Sequence, residues 1–364
     1  MDRWTGGLVA EGVAVLGLDA HHLRLTWQGH SAVFQVRQTQ RPLSPSELAA
    51  PPAVTSLLVV PRASHRLRDR ARALGWSLVV GNATAGWLRF PDGGVLELTE
   101  PTSVAAPSPE QPSSRGFGVW TLTRLLLQQP PTTQVELSRA AGLSQPRVSQ
   151  LLQRLVADGL VRSSRLGWAP HDWDALCDWW LAHYPGPGGV TTWWYGLRPP
   201  AEQLPAVLRA LATADAQPHP ALVSGDVAID LADPWRRPAS LTVYTPVGAD
   251  LAGAGLTAAT GAGDATTALV VPADPGVAAM PASAGGAPHL SAQTSGPPLA
   301  DGLQVLYDLL RAGGSDAPEA AQRWRHRLRT HQERLTPGQV QTRQRWAAAI
   351  ADTRQGLRDG SRHG

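Results

Sequence analysis

The chain has 364 residues, of which 43% are hydrophobic and 17% are charged, and this composition predicts two or three packed domains. All 32 of its Lys+Arg residues are arginine, because the sequence contains no lysine. Lysine-dependent chemistry is therefore excluded, including Walker-type phosphate binding, Schiff-base catalysis and kinase-like phosphoryl transfer. The formal net charge is only +3, so a nucleic-acid contact must come from local clusters of arginine.

The sequence predicts a cytoplasmic protein that does not interact with membranes. It lacks the run of about 18 apolar residues that spans a bilayer. Its start, with Asp2, Arg3 and Glu11 around short apolar runs, lacks the pattern of a signal peptide. The single cysteine, Cys177, excludes an internal disulfide and is typical of a reducing compartment. No motif indicates a cofactor, and we expect none.

Residues 1–100 are predicted to form a small mixed α/β domain. The predicted strands cover residues 32–37, 56–61, 77–81, 87–90 and 95–98. A helix between the second and third strands begins after Ser64, which is a favourable N-cap, and this order predicts a crossover between parallel strands. The outer face of that helix carries Arg66, Arg68, Arg70 and Arg72. We interpret it as a solvated face rather than a nucleic-acid contact. Residues 101–116 are rich in proline and serine and predict a linker.

Residues 117–168 have the element order of a winged helix-turn-helix. The first predicted helix ends before Pro130, a capping box from Thr133 to Glu136 opens the second, and Gly142 makes the turn into the third. The predicted elements are helices at residues 119–129, 135–141 and 144–158 and a two-stranded wing at residues 160–168 with a basic turn at residues 162–165.

The third helix is predicted to be amphipathic. Its inward stripe consists of Val148, Leu151, Leu152, Leu155 and Val156. Its other face is polar and cationic, and it carries no acid that would repel DNA. In such domains the third helix enters the major groove, and its N-terminal residues contact the bases.

This geometry assigns two kinds of DNA contact. Glutamine pairs well with adenine and arginine with guanine, whereas contacts to phosphate position the protein without specifying sequence. The predicted base-reading residues are Gln145, Arg147 and Gln150. The predicted phosphate contacts are Ser149, Arg154, Arg162 and Arg165. A winged helix used for protein contacts alone is the alternative.

Residues 169–280 are predicted to form a second α/β domain. Its predicted helices cover residues 172–184 and 202–214, and its predicted strands cover residues 191–195, 221–224, 228–231, 241–244 and 268–271. Residues 281–300 predict a flexible loop, and residues 301–364 predict a helical, arginine-rich C-terminal region. The arginines of that region either add salt-sensitive affinity for DNA or form a solvated or partner-binding surface.

Three stretches share an order with a known family. They are LLVVPRASHRLRDRARALGWSLVVGNA at residues 57–83, ALVSGDVAIDLADPWRRPASLTVY at residues 221–244 and PLADGLQVLYDLLRAGGSDAPEAA at residues 298–321. The chain resembles the antitoxin and regulator proteins of type IV toxin–antitoxin systems, the AbiEi-type abortive-infection family. The resemblance covers most of the chain as an order of segments. It implies a DNA-binding helix-turn-helix joined to a nucleotidyltransferase-like domain, repression of its own operon and neutralisation of a partner toxin.

The implied nucleotidyltransferase-like domain departs from the pattern of a working enzyme. Such an enzyme needs a Gly-Ser turn followed by an Asp-x-Asp pair that holds metal ions. Here the turn is Ser224-Gly225-Asp226, and the later predicted strand at residues 241–244 carries no acid. Asp226 and Asp230 hold a cation only if both face one cleft. Two-metal chemistry needs converging carboxylates, so we predict that this domain is not catalytic and binds no metal ion.

The sequence therefore predicts an α+β multidomain protein that is a DNA-binding transcriptional regulator, antitoxin-like, with double-stranded DNA as its partner. One alternative is a DNA-associated enzyme, a nucleotidyltransferase or a nuclease, whose metal-dependent activity requires Asp226. A second alternative is a scaffold that binds a toxin or another protein through its winged helix. A homodimer is compatible with the sequence.

Overall fold

A computed structural model describes residues 3–39, 41–81, 85–98, 116–213, 220–234, 236–278, 296–330 and 345–346. Within these residues the chain forms a seven-stranded sheet, a winged helix, and a five-stranded sheet with its helices. The predicted linker at residues 101–116 lies outside the described residues except for Gly116. Most of the predicted loop at residues 281–300 also lies outside them, as does the arginine-rich stretch after residue 330 apart from residues 345–346. The predicted mixed α/β multidomain architecture is confirmed.

The first sheet contains seven strands in sequence order. Helix α1 (Arg3–Ala10) precedes it and α2 (His65–Ala73) lies between its fourth and fifth strands. The strands are β1 (Ala14–Gly17), β2 (His22–Trp27), β3 (His30–Gln38), β4 (Ser56–Val60), β5 (Ser77–Val80), β6 (Ala85–Arg89) and β7 (Val95–Leu98). Neighbours β3–β4 and β4–β5 are parallel, and the remaining pairs are antiparallel. The predicted parallel crossover through α2 is thereby confirmed.

Both faces of the first sheet are covered at its centre. All five residues of β4 are buried, with Leu57 and Val59 in one hydrophobic cluster and Leu58 and Val60 in another that includes residues of α2. Alternate side chains of a strand point to opposite faces, so a strand buried on both sides is apolar throughout. The hydroxyl of Ser64 accepts a hydrogen bond from the backbone N–H of α2 and caps it as predicted.

The sequence analysis did not predict α1, β1 or β2. Helix α1 contains Gly6 and Gly7, which lower helix propensity, and it is held instead by burial of Trp4 and Leu8. The helix lies against the strand that contains Thr191, and the Thr5 hydroxyl donates a hydrogen bond to the Thr191 carbonyl at 2.6 Å. A contact between residues so far apart in the chain cannot be predicted from local sequence patterns.

The winged helix follows. Its elements are α3 (Gly118–Gln128), α4 (Gln134–Ala141), α5 (Gln145–Ala157), β8 (Val161–Ser164) and β9 (Gly167–Pro170). The predicted element order is confirmed. The predicted inward stripe of this helix is wrong at Val156, because this side chain is 45% exposed. It follows Val148 by eight residues, which places it about 80° around the helix at 3.6 residues per turn, at the margin of the buried stripe.

The third part of the chain surrounds the five-stranded sheet, which has the order β11-β12-β14-β10-β13. Its strands are β10 (Val190–Tyr195), β11 (Leu222–Ser224), β12 (Leu241–Tyr244), β13 (Thr257–Ala258) and β14 (Thr267–Val271). Its helices are α6 (Trp173–His183), α7 (Pro200–Thr213), α8 (Gly225–Ala232), α9 (Gly302–Ala312) and α10 (Ala317–Thr330). Every described helix of the chain is too short or too polar to span a bilayer.

One predicted strand of this part is wrong, because residues 228–231 belong to α8. The four-residue apolar run is compatible with either a strand or a buried helix by periodicity alone. Gly225 decides the outcome, since it adopts φ +65° directly after β11 and turns the chain into the helix.

The three parts are packed together rather than strung along the chain. One hydrophobic cluster joins α3, α5, α6 and the five-stranded sheet, and it also contains residues of α9 and α10. On the side of the first sheet, the backbone N–H of Gly248 donates to the Gly17 carbonyl at 2.7 Å. The winged helix is therefore anchored in the body of the protein through α3.

Candidate nucleic-acid interface

The turn between α4 and α5 is defined by local hydrogen bonds. The Thr133 hydroxyl accepts from the Glu136 backbone N–H at 3.3 Å, and the Glu136 carboxylate accepts from the Thr133 N–H at 3.0 Å. Gly142 ends α4 at φ +67°, where a glycine is favoured. Ser144 precedes α5 as its N-cap residue, but its side chain makes no capping hydrogen bond. Instead, the Gln134 side chain donates to the Gln145 carbonyl at 3.2 Å and links the starts of the two helices.

Helix α5 has one buried face and one exposed face. Val148, Leu151, Leu152 and Leu155 are buried in the core of the winged helix. The exposed polar residues on the other side are Gln145, Arg147, Gln150, Gln153 and Arg154, and Ser149 is half-buried beside them. The three predicted base-reading residues, Gln145, Arg147 and Gln150, are therefore all exposed to solvent.

The arginines of this surface have no acidic partner among the described residues. Arg147 and Arg154 on α5, and Arg162 and Arg165 in the wing, form no ion pair and no side-chain hydrogen bond with any described residue. Residues 117–168 expose five arginines, the fifth being Arg139, against two acids, Glu136 and Asp158. A local excess of positive charge of this kind attracts the phosphate backbone of DNA.

The wing is a short hairpin joined to the helical part of the domain. Ser163 pairs with Trp168 in the register of β8 and β9, and Thr132 exchanges two backbone hydrogen bonds with Trp168. Gly167 has φ +120°, and a Cβ there would lie 2.6 Å from the Thr132 carbonyl group. The predicted turn at residues 162–165 is corrected, because residues 162–164 belong to β8 and the turn is Arg165-Leu166.

Helix α3 has polar residues on a face that is completely buried. Arg124 is inaccessible, and its guanidinium donates to Asp274 at 2.6 Å and to Gln304 at 2.7 Å, and it lies 3.2 Å from Asp301. The rings of Trp180 and Tyr184 lie 4.8 Å from its central carbon. Burial alone disfavours its charge, but the carboxylates of Asp274 and Asp301 hold the pKa of Arg124 above its ordinary value.

The buried network continues into the third part of the chain. Asp308 accepts hydrogen bonds from Ser224 at 2.6 Å, Tyr244 at 2.9 Å and Gln304 at 3.2 Å. Burial raises the pKa of Asp308 to about 6 and that of Asp301 to about 6. Sequence analysis did not single out these residues. The available signal was Arg124 itself, a charged residue in an otherwise leucine-rich helix.

The described arginines of α10 make hydrogen bonds to neighbouring parts of the protein. Arg325 donates to Asp174 at 2.9 Å and to Asp178 at 2.6 Å. Arg323 bonds to Asp233, Arg327 to the Ala232 carbonyl and Arg329 to Asp174. These four guanidinium groups attach α10 to α6 and to the end of α8. The arginines predicted to follow them, except Arg345, lie outside the described residues.

The turn that could have held metal ions is occupied by other interactions. Asp226 is buried and accepts from Arg236 at 3.3 Å and from the Ala239 N–H at 3.0 Å. On the strand that faces the turn, Thr242 pairs with Ser224, and Tyr244 bonds to Asp308. No group of three potential metal ligands occurs among the described residues. A nucleotidyltransferase would need an Asp-x-Asp pair beside this turn. In its place the protein has the ion pair between Asp226 and Arg236 and the buried Tyr244.

The comparison with protein families addresses the winged helix directly. Residues 121–166 match the MarR family. The matched segment begins in α3, includes α4 and α5, and ends at the turn of the wing. The chain thus contains a MarR-type winged helix-turn-helix, which supports a DNA-binding transcriptional regulator. No curated protein and no solved structure is significantly similar to the chain.

Proposed function

We propose that this protein is a sequence-specific transcriptional regulator that inserts α5 into the major groove of double-stranded DNA. Gln145, Arg147 and Gln150 contact base edges, and Ser149, Arg154, Arg162 and Arg165 contact phosphates. The observation that carries this proposal is the set of exposed arginines on α5 and the wing without acidic partners among the described residues. Regulators of this type bind paired half-sites as dimers, so a homodimer is part of the proposal.

The finer role that we propose is that of an antitoxin-like autoregulator. Its support is the resemblance of residues 57–83, 221–244 and 298–321 to the antitoxins of type IV systems. Such a protein represses its own operon and counteracts a toxin encoded beside it. Co-expression with the product of the adjacent gene would then restore growth that this product inhibits, and unrestored growth would remove the antitoxin role while leaving the regulator.

An enzymatic role at the Ser224-Gly225 turn has less support. One carboxylate oxygen of Asp226 accepts from Arg236 and from the Ala239 N–H, while its other oxygen has no partner among the described residues. Tyr244 occupies the strand position where a metal-binding acid is needed. Among the described residues the winged helix exposes five arginines against two acids, and this favours the helix-turn-helix as the binding site.

DNA binding is tested by fluorescence anisotropy with the duplex upstream of the protein's own gene and a scrambled duplex, over a series of salt concentrations. Each good base contact contributes about 1–3 kcal/mol of discrimination, so Arg147→Ala combined with Gln150→Ala should lower affinity for the upstream duplex by roughly 30-fold or more. The double variant should also lose the preference over scrambled DNA.

The matched control is Arg198→Ala, which removes an exposed arginine outside the winged helix and should leave both affinities within about twofold. Equal binding of both duplexes by the wild-type chain, lost as salt rises, would show that the arginines hold DNA without reading it. Unchanged binding by the double variant would contradict the proposed recognition surface.

A further inference from the structure

The first sheet buries only one side of its strands β1, β2 and β3. Leu23, Leu25 and Phe34 point to the buried side and lie in a hydrophobic cluster. Side chains alternate along a strand, and those that point to the other side are all exposed or half-buried. Two of them, Arg24 and Arg37, are arginines, and none is an acid. The exposed side of these three strands is therefore cationic.

Helix α2 packs on this same side of the sheet, over the neighbouring strands. Arg37 of β3 is the register partner of Leu58 in β4, and Leu58 lies in a hydrophobic cluster with Leu67 of α2. Partners on adjacent strands point to the same side of a sheet, so Arg37 points to the side that α2 covers further along. The helix and the exposed strands thus border one continuous surface.

One flank of α2 is turned toward β3. Arg70 donates to the Leu48 carbonyl at 3.2 Å and to the Ala49 carbonyl at 3.4 Å, in the segment that follows β3. Arg66 precedes Arg70 by one helical turn and shares this flank. Arg62 is exposed in the loop that joins β4 to α2. The sequence analysis considered α2 alone, whereas the sheet places this flank on the same side as the arginines of β2 and β3.

The arginines of this surface keep their charge uncompensated. We call them the arginine face, and they are Arg24, Arg37, Arg62, Arg66 and Arg70. None of the five forms an ion pair with a described residue. The acids of residues 14–73 are already paired, in Asp19–His22, Arg41–Glu47 and His65–Asp69. A surface with this charge balance attracts a polyanion.

We infer that the arginine face binds the phosphate backbone of a DNA segment outside the one that α5 reads. The inference rests on the proposed function, since it adds a second contact to the same DNA-binding protein. Guanidinium groups stay charged and bind phosphate bidentately. A protein partner would instead need an apolar centre, and the larger apolar side chains among the exposed strand positions are only Leu16 and Val33, which are half-buried.

The dimensions of the arginine face suit a contact that does not read sequence. Arg24 is opposite Val33 in the sheet, and Arg37 lies four residues further along β3, which is about 13 Å. Double-stranded DNA carries one phosphate per about 1.7 Å of its axis, so a face of this length meets several phosphates in any register. Such a contact adds affinity and salt dependence without sequence preference.

The inference is tested by anisotropy of the full chain on the upstream and scrambled duplexes, each about 40 base pairs or four helical turns long. Arg24→Ala combined with Arg37→Ala should reduce the slope of log affinity against log salt by about 2, because each phosphate contact contributes about 0.9. Affinity for the two duplexes should fall by the same factor, so the preference for the upstream duplex should be unchanged. Hydroxyl-radical footprinting should show that the variant loses protection of backbone outside the segment that α5 contacts.

Two charge controls separate phosphate binding from a structural role. Arg24→Lys combined with Arg37→Lys keeps both charges and should retain the wild-type slope within about 0.5. Arg72→Ala removes an arginine from the opposite flank of α2, where it is paired with Glu97, and should leave the slope unchanged. Arg62→Ala alters a loop and no strand, and it should reduce the slope by about 1.

An unchanged slope in both the double alanine variant and Arg62→Ala would overturn the inference and leave the proposed function intact. A reduction seen only with an RNA duplex of the same sequence would also overturn it. If the slopes fall as expected but the wild-type chain shows no preference for the upstream duplex, the arginine face stands and the proposed reading by α5 fails. A wild-type chain that binds neither duplex would overturn both.

Discussion

The winged helix has two polar faces with opposite surroundings. On α3, Arg124 and Gln128 are buried and make hydrogen bonds to Asp274, Asp301 and Gln304. On α5, Arg147 and Gln150 are exposed, and none of the described residues supplies an acid to pair with the arginine. The same two residue types are thus used for internal anchoring on one helix and are free to bind a ligand on the other.

The comparison of α3 with α5 shows that the number of arginines in a segment does not by itself locate a DNA-binding surface. The deciding feature is whether the fold supplies carboxylates within reach. Helix α10 is an intermediate case, since its arginines are partly exposed and yet bonded to Asp174, Asp178 and Asp233. Two of the measurements below separate these classes of arginine, and another tests the buried carboxyl group of Asp308.

Arg124→Met should produce the largest loss of stability. Removing the guanidinium leaves Asp274 and Asp301 buried without their counter-charge, and breaking a buried pair in this way costs about 3–5 kcal/mol. The change is measured by urea unfolding followed by tryptophan fluorescence. Arg147→Met is the control, and its exposed position predicts a change of less than about 0.5 kcal/mol. Equal stability of the two variants would contradict the proposed difference between the buried arginine on α3 and the exposed arginine on α5.

Asp308→Asn should change how stability depends on pH. Burial raises the pKa of Asp308 to about 6, above the ordinary value of about 3.9, so the folded protein binds its proton more tightly than the unfolded chain. Stability from this group is therefore fully present below pH about 4 and is lost as pH rises through 6. Relative to the asparagine variant, the wild-type protein should lose about 2 kcal/mol of unfolding free energy across this interval.

The pH measurement compares urea unfolding of both proteins in steps between pH 4 and pH 7. Asp158→Asn serves as the control, because this carboxylate is exposed at the end of α5 and should leave the pH profile of the wild type unchanged. If the unfolding free energies of wild type and Asp308→Asn differed by the same amount at every pH, the raised pKa of Asp308 would be contradicted.

Arg154→Ala and Arg325→Ala should have complementary small effects. Arg154→Ala removes a proposed phosphate contact, so the slope of log affinity against log salt should fall by about 1 while stability is unchanged. Arg325→Ala removes partly exposed ion pairs with Asp174 and Asp178, so stability should fall by about 1 kcal/mol or less while the slope is unchanged. Salt-series anisotropy and urea unfolding of both variants check the pair, and a lower slope for Arg325→Ala would place α10 on DNA.

Much of the winged helix could be predicted from the sequence, because its determinants are local. The capping box of Thr133 and Glu136, the turn at Gly142 and the leucine spacing of α5 each act within a few residues. Prediction failed where local signals were weak or ambiguous. The apolar run in α8 fits either a strand or a helix, and α1 depends on burial against β10 rather than on its own propensity.

The sequence by itself determined the order of capped helices and hairpin and the presence of a polar, cationic face on α5. Tertiary structure decided which polar groups remain available for a partner. Arg124 is neutralised by Asp274 and Asp301, which lie more than a hundred residues away in the chain, and Tyr244 and Asp308 close the turn at Ser224. Capping and periodicity act over a few residues, whereas burial and charge pairing depend on segments that only folding brings together.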